Sequence, residues 1–163
     1  MTAGINLLCS LLSDTTPTIH HNTNTMSTTT TTEPITVPAG EYYLSDPCYI
    51  IRDSKDWLDV CHQLSNQDGV KYAIMKTYSV TVKGHTCVMM NTYHGDGEYR
   101  SNYGHRLPVD SGMIGLIPVE FAEDKDKEFA KVKFDTPIQP FSSDGTMYFG
   151  KITIQTNWEE DDI

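Results

Sequence analysis

The sequence predicts a mainly β fold of the α+β class: an antiparallel sheet or β-sandwich with one amphipathic helix packed on it. Two observations predict this fold. About eight short runs rich in β-branched and aromatic residues are separated by turns that contain Gly, Pro, Asn or Asp. A single segment carries apolar residues at helical spacing. Because the connections between the runs are short, we expect mostly antiparallel pairing.

Length and charge limit the classes of function. The chain has 163 residues, enough for one domain with a hydrophobic core. Its formal net charge is -10, from 22 acidic and 12 basic residues, which disfavours nucleic acid because phosphate binding needs a basic patch. No stretch reaches the roughly 20 apolar residues of a membrane-spanning helix. We expect a soluble protein that binds a protein, a small ligand or its own copies, and neither nucleic acid nor a membrane.

The cysteines favour a reducing compartment. No two of them form a C-x-x-C pair or a zinc-finger spacing, which favours buried free thiols and a cytoplasmic location. They are Cys9, Cys48, Cys61 and Cys87.

The composition divides the chain into three parts. Residues 14–33 are almost entirely Thr, Asn, Ser and His, which bury too little apolar surface to offset the entropy of ordering them. We predict a disordered Thr-rich leader over 1–33, a single β-rich domain over 34–157 and an acidic tail over 158–163. Both Met1 and Met26 remain candidate translation starts.

The first elements follow from turns and from one helical stripe. A turn at 38–40 leads into a strand, and Pro47 excludes helix at Asp46, so a second short buried strand is expected just after it. A helix is then predicted, capped by Asp53 or Ser54 and ended by the polar run at 66–69. Its core-facing stripe, at i, i+3, i+4 and i+7, is Trp57, Val60, Cys61 and Leu64.

The second half of the chain is predicted to consist of strands and turns. Two β-rich runs, 70–82 and 85–94, are joined by a Lys-Gly hairpin signal. A short arm surrounds Tyr99, a strand buried on both faces follows it, and the charged stretch 122–130 is expected to be a loop. Two further strands, 131–141 and 146–156, are linked by a Ser-Ser-Asp-Gly turn.

The densest polar stretch runs from Tyr93 to Gly112. Gly residues on both sides of Asp96 permit a tight turn that points His94, Asp96 and Glu98 toward a common space. An ordinary hairpin turn is the main interpretation, and a metal or ligand loop is the alternative. Because the D-x-D-x-D-G spacing of a calcium loop is absent, we expect no metal and no cofactor.

The Val-Asp-Ser-Gly segment at 109–112 invites enzymatic interpretations. Ser111 does not lie in a G-x-S-x-G elbow, which argues against a serine hydrolase of that kind. The segment is similar to the active-site turn of aspartic proteases, where two carboxylates share a proton, but this chain has one copy. A homodimer could bring two Asp110 residues together. An Asp that bonds the backbone of a neighbouring turn is the commoner case.

The Ser-Asp-Pro-Cys-Tyr segment supplies a further candidate. Cys48 is a nucleophile only if a histidine lies beside it, and its apolar neighbours favour a packed, unreactive thiol. The candidate bases are His62, His85, His94 and His105. We expect Asp46 to accept hydrogen bonds from the amides that follow it. The turn cluster predicted in this way comprises Asp46, Cys48, Tyr93, Asp96, Glu98, Asp110 and Ser111.

Three motifs in this order resemble those of a group of small uncharacterised proteins from bacteriophages, other large DNA viruses and bacteria. They are SDPCYII, YHGDGEY and VDSGMIGLIPVE. In that group a G-D-P-C-Y turn, a Y-G-D-G-x-Y hairpin and a V-D-S-G-x-I-G strand recur at similar spacing. Ser45 and His94 stand where the group usually has Gly or a small residue. The resemblance spans 39–121 and implies a viral or phage-type protein, in the host cytoplasm or the virion, with no established activity.

The leading hypothesis is a non-enzymatic accessory or binding protein. The turns of Asp46, Asp96 and Asp110 would lie together at one end of the sheet and form a polar pocket or an oligomer contact. One alternative is a hydrolase in which Asp96 and Asp110 act as general acid and base, or hold a divalent metal with His94. The other is a structural component of the virion.

Overall fold

The computed structural model describes residues 33–68, 76–121 and 129–157. The chain divides into two compact units, Met1–Pro34 and Ile35–Ile163, and the fold below concerns the second. The predicted leader, apart from Glu33, lies outside the described residues, and so do the acidic tail and most of the predicted loop at 122–130.

The described residues form ten strands, two α-helices and a short 3₁₀ helix at Val119–Phe121. In chain order the strands and α-helices are β1 (Gly40–Ser45), α1 (Pro47–Ile50), α2 (Ser54–Asp68), β2 (Thr77–Val82), β3 (His85–Asn91), β4 (Gly97–Arg100), β5 (Arg106–Val109), β6 (Met113–Pro118), β7 (Ala130–Phe134), β8 (Phe141–Ser143), β9 (Thr146–Phe149) and β10 (Ile152–Gln155). Neither described helix is long and apolar enough to cross a membrane.

The strands form two layers around a core, as the predicted fold class requires. A five-stranded antiparallel sheet has the order β2-β3-β6-β1-β7. The second layer contains the three-stranded sheet β10-β9-β8 and the β4–β5 hairpin, which a bridge between Ser101 and Ile154 joins to β10. One face of the large sheet packs on this layer through residues such as Leu44, Leu107 and Phe149. The mainly β prediction is confirmed.

The other face of the large sheet packs on α2, as predicted. Val60 and Leu64 are buried against β2 and β3, whereas Trp57 and Cys61 are only half-buried at the margin of the stripe. Asp53 is the residue that caps the helix, because its Oδ1 accepts hydrogen bonds from the Lys55 and Asp56 amides at 2.9 and 3.1 Å. The helical stripe is therefore confirmed, but its buried centre is Val60 and Leu64.

The expected buried strand after Pro47 is wrong, because Pro47–Ile50 forms one helical turn. Asp46 is extended, as a residue before Pro should be, with φ -61° and ψ 124°. Pro47 then occupies the first helical position, where its fixed φ suits a helix and its missing N–H is not needed. The Asp46 side chain caps the turn by accepting from the Cys48 amide.

The two predicted hairpin turns are present in the structure. Two of the predicted strands are each divided into two shorter strands. Lys83–Gly84 and Asp144–Gly145 both have positive φ at each residue, as type I′ turns require. The run 131–141 divides into β7 and β8, because its two prolines cannot donate to a ladder. The run 146–156 divides into β9 and β10 at a turn where Gly150 has φ 62°.

Candidate functional site

The carboxylate of Asp46 joins two segments that are far apart in the sequence. It lies between β1 and α1 and is fully buried. Oδ1 accepts hydrogen bonds from the Cys48 amide at 2.9 Å and the Ser111 hydroxyl at 2.6 Å. Oδ2 accepts from the Asp110 and Ser111 amides, both at 2.7 Å. The turn after β5 is thus held against the start of α1.

A second set of hydrogen bonds connects the Gly-Asp-Gly turn at 95–97 to Gly112, next to the turn that Asp46 binds. The Thr92 amide donates to the Gly112 carbonyl at 2.9 Å, and the Thr92 hydroxyl donates to the Gly95 carbonyl at 2.6 Å. Gly112 has φ 74°, and a Cβ on it would lie 3.7 Å from Gly95 Cα. The Tyr99 hydroxyl also donates to the Gly95 carbonyl, at 2.9 Å. All three sequence motifs therefore meet in one hydrogen-bonded unit.

The Cys48 thiol lies within the electrostatic field of three carboxylates. Burial raises its pKa well above the ordinary value, and the charge of Asp46, a hydrogen bond to Asp46, and the charges of Asp110 and Asp96 raise it further. A thiol in this environment stays protonated at neutral pH, whereas a nucleophilic cysteine needs a lowered pKa. The arrangement brings the three acidic turns around one residue and disfavours a thiolate there.

Asp96 and Asp110 are the exposed carboxylates of this unit. Oδ2 of Asp110 accepts a hydrogen bond from the Tyr49 hydroxyl at 2.6 Å. Burial and this bond raise the pKa of Tyr49 above its ordinary value, so the phenol remains a donor at neutral pH. Among the described residues, neither Asp96 nor Asp110 forms an ion pair with Lys or Arg. Both negative charges are exposed to solvent.

The other predicted site residues differ in their surroundings. The Tyr93 ring is 52% exposed and packs edge-on against the exposed His94 ring, with centroids 4.9 Å apart. The Tyr93 amide donates to the Thr156 hydroxyl at 3.0 Å, which fixes the start of the turn. Glu98 instead pairs with Arg106 across the β4–β5 hairpin at 2.5 Å, and this bond lowers the pKa of Glu98.

The described residues contain no group of three or more His, Cys, Asp or Glu side chains placed to hold a metal ion. A metal at Asp46 would have to displace N–H and O–H donors from both of its oxygens. Any cation would therefore meet the carboxylates of Asp96 and Asp110 first.

Sequence analysis did not identify two residues of this hydrogen-bonded unit, Thr92 and Tyr49. Thr92 carries a local signal, because Thr before a Gly-rich turn often bonds a nearby backbone group through its hydroxyl. Tyr49 carries none, because its partner Asp110 is 61 positions away.

No protein-family model, curated protein or solved structure matches the chain.

Proposed function

We propose that the protein is a non-enzymatic binding protein of the viral and phage type that its motifs resemble, and that its three acidic turns bind a basic protein segment. The binding surface comprises Tyr49, Tyr93, Asp96 and Asp110, and is called the acidic turn surface below. The observation that carries the proposal is that Asp96 and Asp110 are exposed and, within the described residues, form no ion pair with Lys or Arg. The buried Asp46 holds the turn of Asp110, and Thr92 and Tyr99 hold the turn of Asp96 through the Gly95 carbonyl.

Two exposed carboxylates on hydrogen-bonded turns suit Lys and Arg side chains. Charge-assisted hydrogen bonds from guanidinium or ammonium groups are stronger than neutral ones, and turns held in place lose little entropy on binding. Tyr93 offers an exposed ring on which a cation can also rest. The net charge of -10 steers basic partners toward the protein and repels acidic ones. Binding of this kind needs no metal and no cofactor.

Two features favour binding over hydrolysis. Catalysis by a pair of carboxyl groups typically takes place where water is excluded, and Asp96 and Asp110 are both exposed. Asp46, which is shielded from water, already accepts four hydrogen bonds from its own turns. We place this binding function in the host cytoplasm, with attachment to the virion as the other location that a basic partner would allow.

The test uses an oligo-arginine peptide as the probe and titration calorimetry as the readout. The variant Asp96→Asn with Asp110→Asn removes two charges from the acidic turn surface. We expect its affinity for the peptide to fall about tenfold or more, because each tenfold loss corresponds to only about 1.4 kcal/mol.

The control is Glu41→Gln with Asp135→Asn, which removes two exposed charges from β1 and from the turn after β7. Both double variants have the same net charge, so long-range steering is matched. The control should stay within about twofold of the native protein, because its two residues lie outside the acidic turn surface and affect the peptide only through the net charge. Equal losses in the two variants, or no binding by the native protein, would contradict the proposal.

A further inference from the structure

The outer face of the β4–β5 hairpin carries charged side chains. Exposed and buried residues alternate along the two strands, so Tyr99 and Leu107 point into the core while their neighbours point outward. The outward residues are all exposed and are called the hairpin face below. They are Glu98, Arg100, Arg106 and Pro108.

The two ends of this hairpin carry opposite charges. Near the tip, Arg100 lies directly opposite Arg106 in the strand register. At the base, the exposed residues are Asp96, immediately before β4, and Asp110, immediately after β5. Like charges on directly opposed residues destabilise a hairpin, whereas opposite charges stabilise it. The stability of the hairpin therefore does not explain why its two arginines lie together at the tip and its two aspartates at the base.

Glu98 neutralises only part of the arginine end. Its Oε2 accepts a hydrogen bond from Arg106 at 2.5 Å, while its Oε1 lies 3.9 Å from the Arg100 guanidinium, too far for a hydrogen bond. Within the described residues, both arginines form their ion pairs with Glu98 alone. The side chains of Arg100 and Arg106 are 67% and 68% exposed. The tip therefore keeps a net positive charge and several N–H donors for an acidic group.

The two ends of the hairpin are far enough apart to act separately. Asp96 is four positions from Arg100, and Arg106 is four positions from Asp110. In extended strands this separation is about 13 Å. It exceeds the Debye length of about 8 Å at physiological ionic strength. A bound group therefore responds mainly to the end of the hairpin that it contacts.

We propose that the hairpin binds an extended protein segment that carries basic residues and, four positions further along, acidic residues. The basic residues bind Asp96 and Asp110, and the acidic residues bind Arg100 and Arg106. This inference rests on the proposed binding of a basic segment to the acidic turn surface. It adds a second charged group to that partner, and it fixes the direction in which the partner lies along the hairpin.

The net charge decides between a mixed partner and a purely acidic one. A purely acidic segment is repelled over long distances by a protein with a formal charge of -10. A segment that also carries basic residues is attracted by the acidic turn surface, which brings its acidic residues to the arginines. Pairs of Arg with carboxylates are frequently bidentate, which adds geometric specificity. Complementary charges at both ends also fix the register of the bound segment.

The test compares two capped, dye-labelled peptides by fluorescence anisotropy. In Arg-Arg-Ser-Ser-Glu-Glu each Glu follows an Arg by four positions, and in Arg-Arg-Glu-Glu-Ser-Ser by two. The peptides have the same composition and net charge, so only the spacing of the charges differs. We expect the native protein to bind the first peptide about tenfold more tightly, because only its Glu residues reach the arginine end.

The variant that tests the arginine end is Arg100→Gln with Arg106→Gln. Its preference between the two peptides should fall to within about twofold, because the group that recognises the Glu residues is gone. Its affinity for the oligo-arginine peptide should be at least that of the native protein, since Asp96 and Asp110 are unchanged. This second readout also shows that the variant is folded.

The control is Lys131→Gln with Lys133→Gln, which removes two exposed positive charges from β7. Both double variants have the same net charge. The control should keep the preference of about tenfold, because its residues lie outside the hairpin face.

The two proposals can fail separately. A native protein that binds oligo-arginine but binds both mixed peptides equally would overturn this inference and leave the proposed function intact. A preference that survives in the Arg100 and Arg106 variant, or that the control loses to the same extent, would also overturn it. No binding of oligo-arginine would contradict the proposed function, and with it the inference that rests on it.

Discussion

A buried carboxylate is costly unless its oxygens are satisfied, and Asp46 shows how this chain satisfies one. Burying a charge without hydrogen bonds costs several kcal/mol. Three backbone amides and one hydroxyl donate to Asp46, and all of them come from residues 48, 110 and 111. The two segments can therefore reach this arrangement only together. Asp46 positions the acidic turn surface without being exposed on it.

We expect Asp46→Asn to destabilise the protein by about 2 to 4 kcal/mol, because an amide nitrogen would face N–H donors and leave them unsatisfied. The free energy of unfolding from urea titration measures the loss. Asp110→Asn is the matched control and should lose less than about 1 kcal/mol, since the exposed Tyr49 bond is its side-chain contact. Similar losses in the two variants would show that Asp46 does not hold the turns.

At the scale of elements, α2 has a second role besides burying Val60 and Leu64. β2 lies at the edge of the large sheet, where unpaired backbone groups invite pairing with other chains. Gln63 accepts from the Thr81 amide at 2.8 Å and donates to the Thr81 carbonyl at 2.7 Å. Gln67 donates to the Ser79 carbonyl at 2.8 Å. The side chains of Gln63 and Gln67 thus satisfy backbone groups of β2 that would otherwise be free to pair with another strand.

We expect Gln63→Ala to cost about 1 to 2 kcal/mol, because the two bonds to Thr81 and the exposed bond to Asp59 are lost from a half-buried side chain. Hydrogen exchange should show faster exchange of the Thr81 amide in particular. His62→Ala, the exposed neighbour on the same helix, is the control and gains a similar helix propensity. If the Thr81 amide exchanges equally fast in both variants, the side chain does not protect this edge.

Across the whole molecule, β6 is the strand on which the two cores meet. Ile114 and Leu116 face the second layer, while Met113 and Ile117 face the helix. The apolar run 113–119 was predicted as a strand buried on both faces. The strand is confirmed over Met113–Pro118, and residues 113–117 are buried. Gly115 lies at its middle, where an added Cβ would be 2.7 Å from the Val88 carbonyl oxygen and 3.0 Å from Met89 Cβ.

We expect Gly115→Ala to destabilise the whole domain by about 3 kcal/mol, the upper end for overpacking, because a backbone oxygen cannot move aside. Thermal unfolding followed by circular dichroism measures the loss. Gly84→Ala is the control: its Cβ meets open space, so only the positive φ of 79° costs energy, about 1 kcal/mol. A smaller loss at Gly115 than at Gly84 would mean that β3 and β6 can separate without cost.

Much of the site could be named from the sequence, but not the roles within it. Asp46, Asp96 and Asp110 were singled out because each lies in a local turn signal. The sequence did not show that Asp46 is buried or that Asp110 receives the Tyr49 hydroxyl, since these contacts join residues more than 60 positions apart. Glu98 was grouped with the cluster by proximity in sequence, whereas its partner is Arg106 on the next strand.

The sequence by itself determined most of the helices, strands and turns of this protein. Contacts between distant segments decided which of the polar residues are buried and which are exposed. Hydrophobic periodicity and Gly-rich turns identify α2, β6 and the two type I′ hairpins, because these features depend on residues within one or two turns of each other. Local sequence patterns did not predict the helical turn after Pro47. This turn is capped by the Asp46 carboxylate, which also accepts hydrogen bonds from the distant Asp110 and Ser111 amides. Which carboxylate is buried, and which two are left exposed, is set by the tertiary structure, since only packing brings their partners within hydrogen-bonding distance.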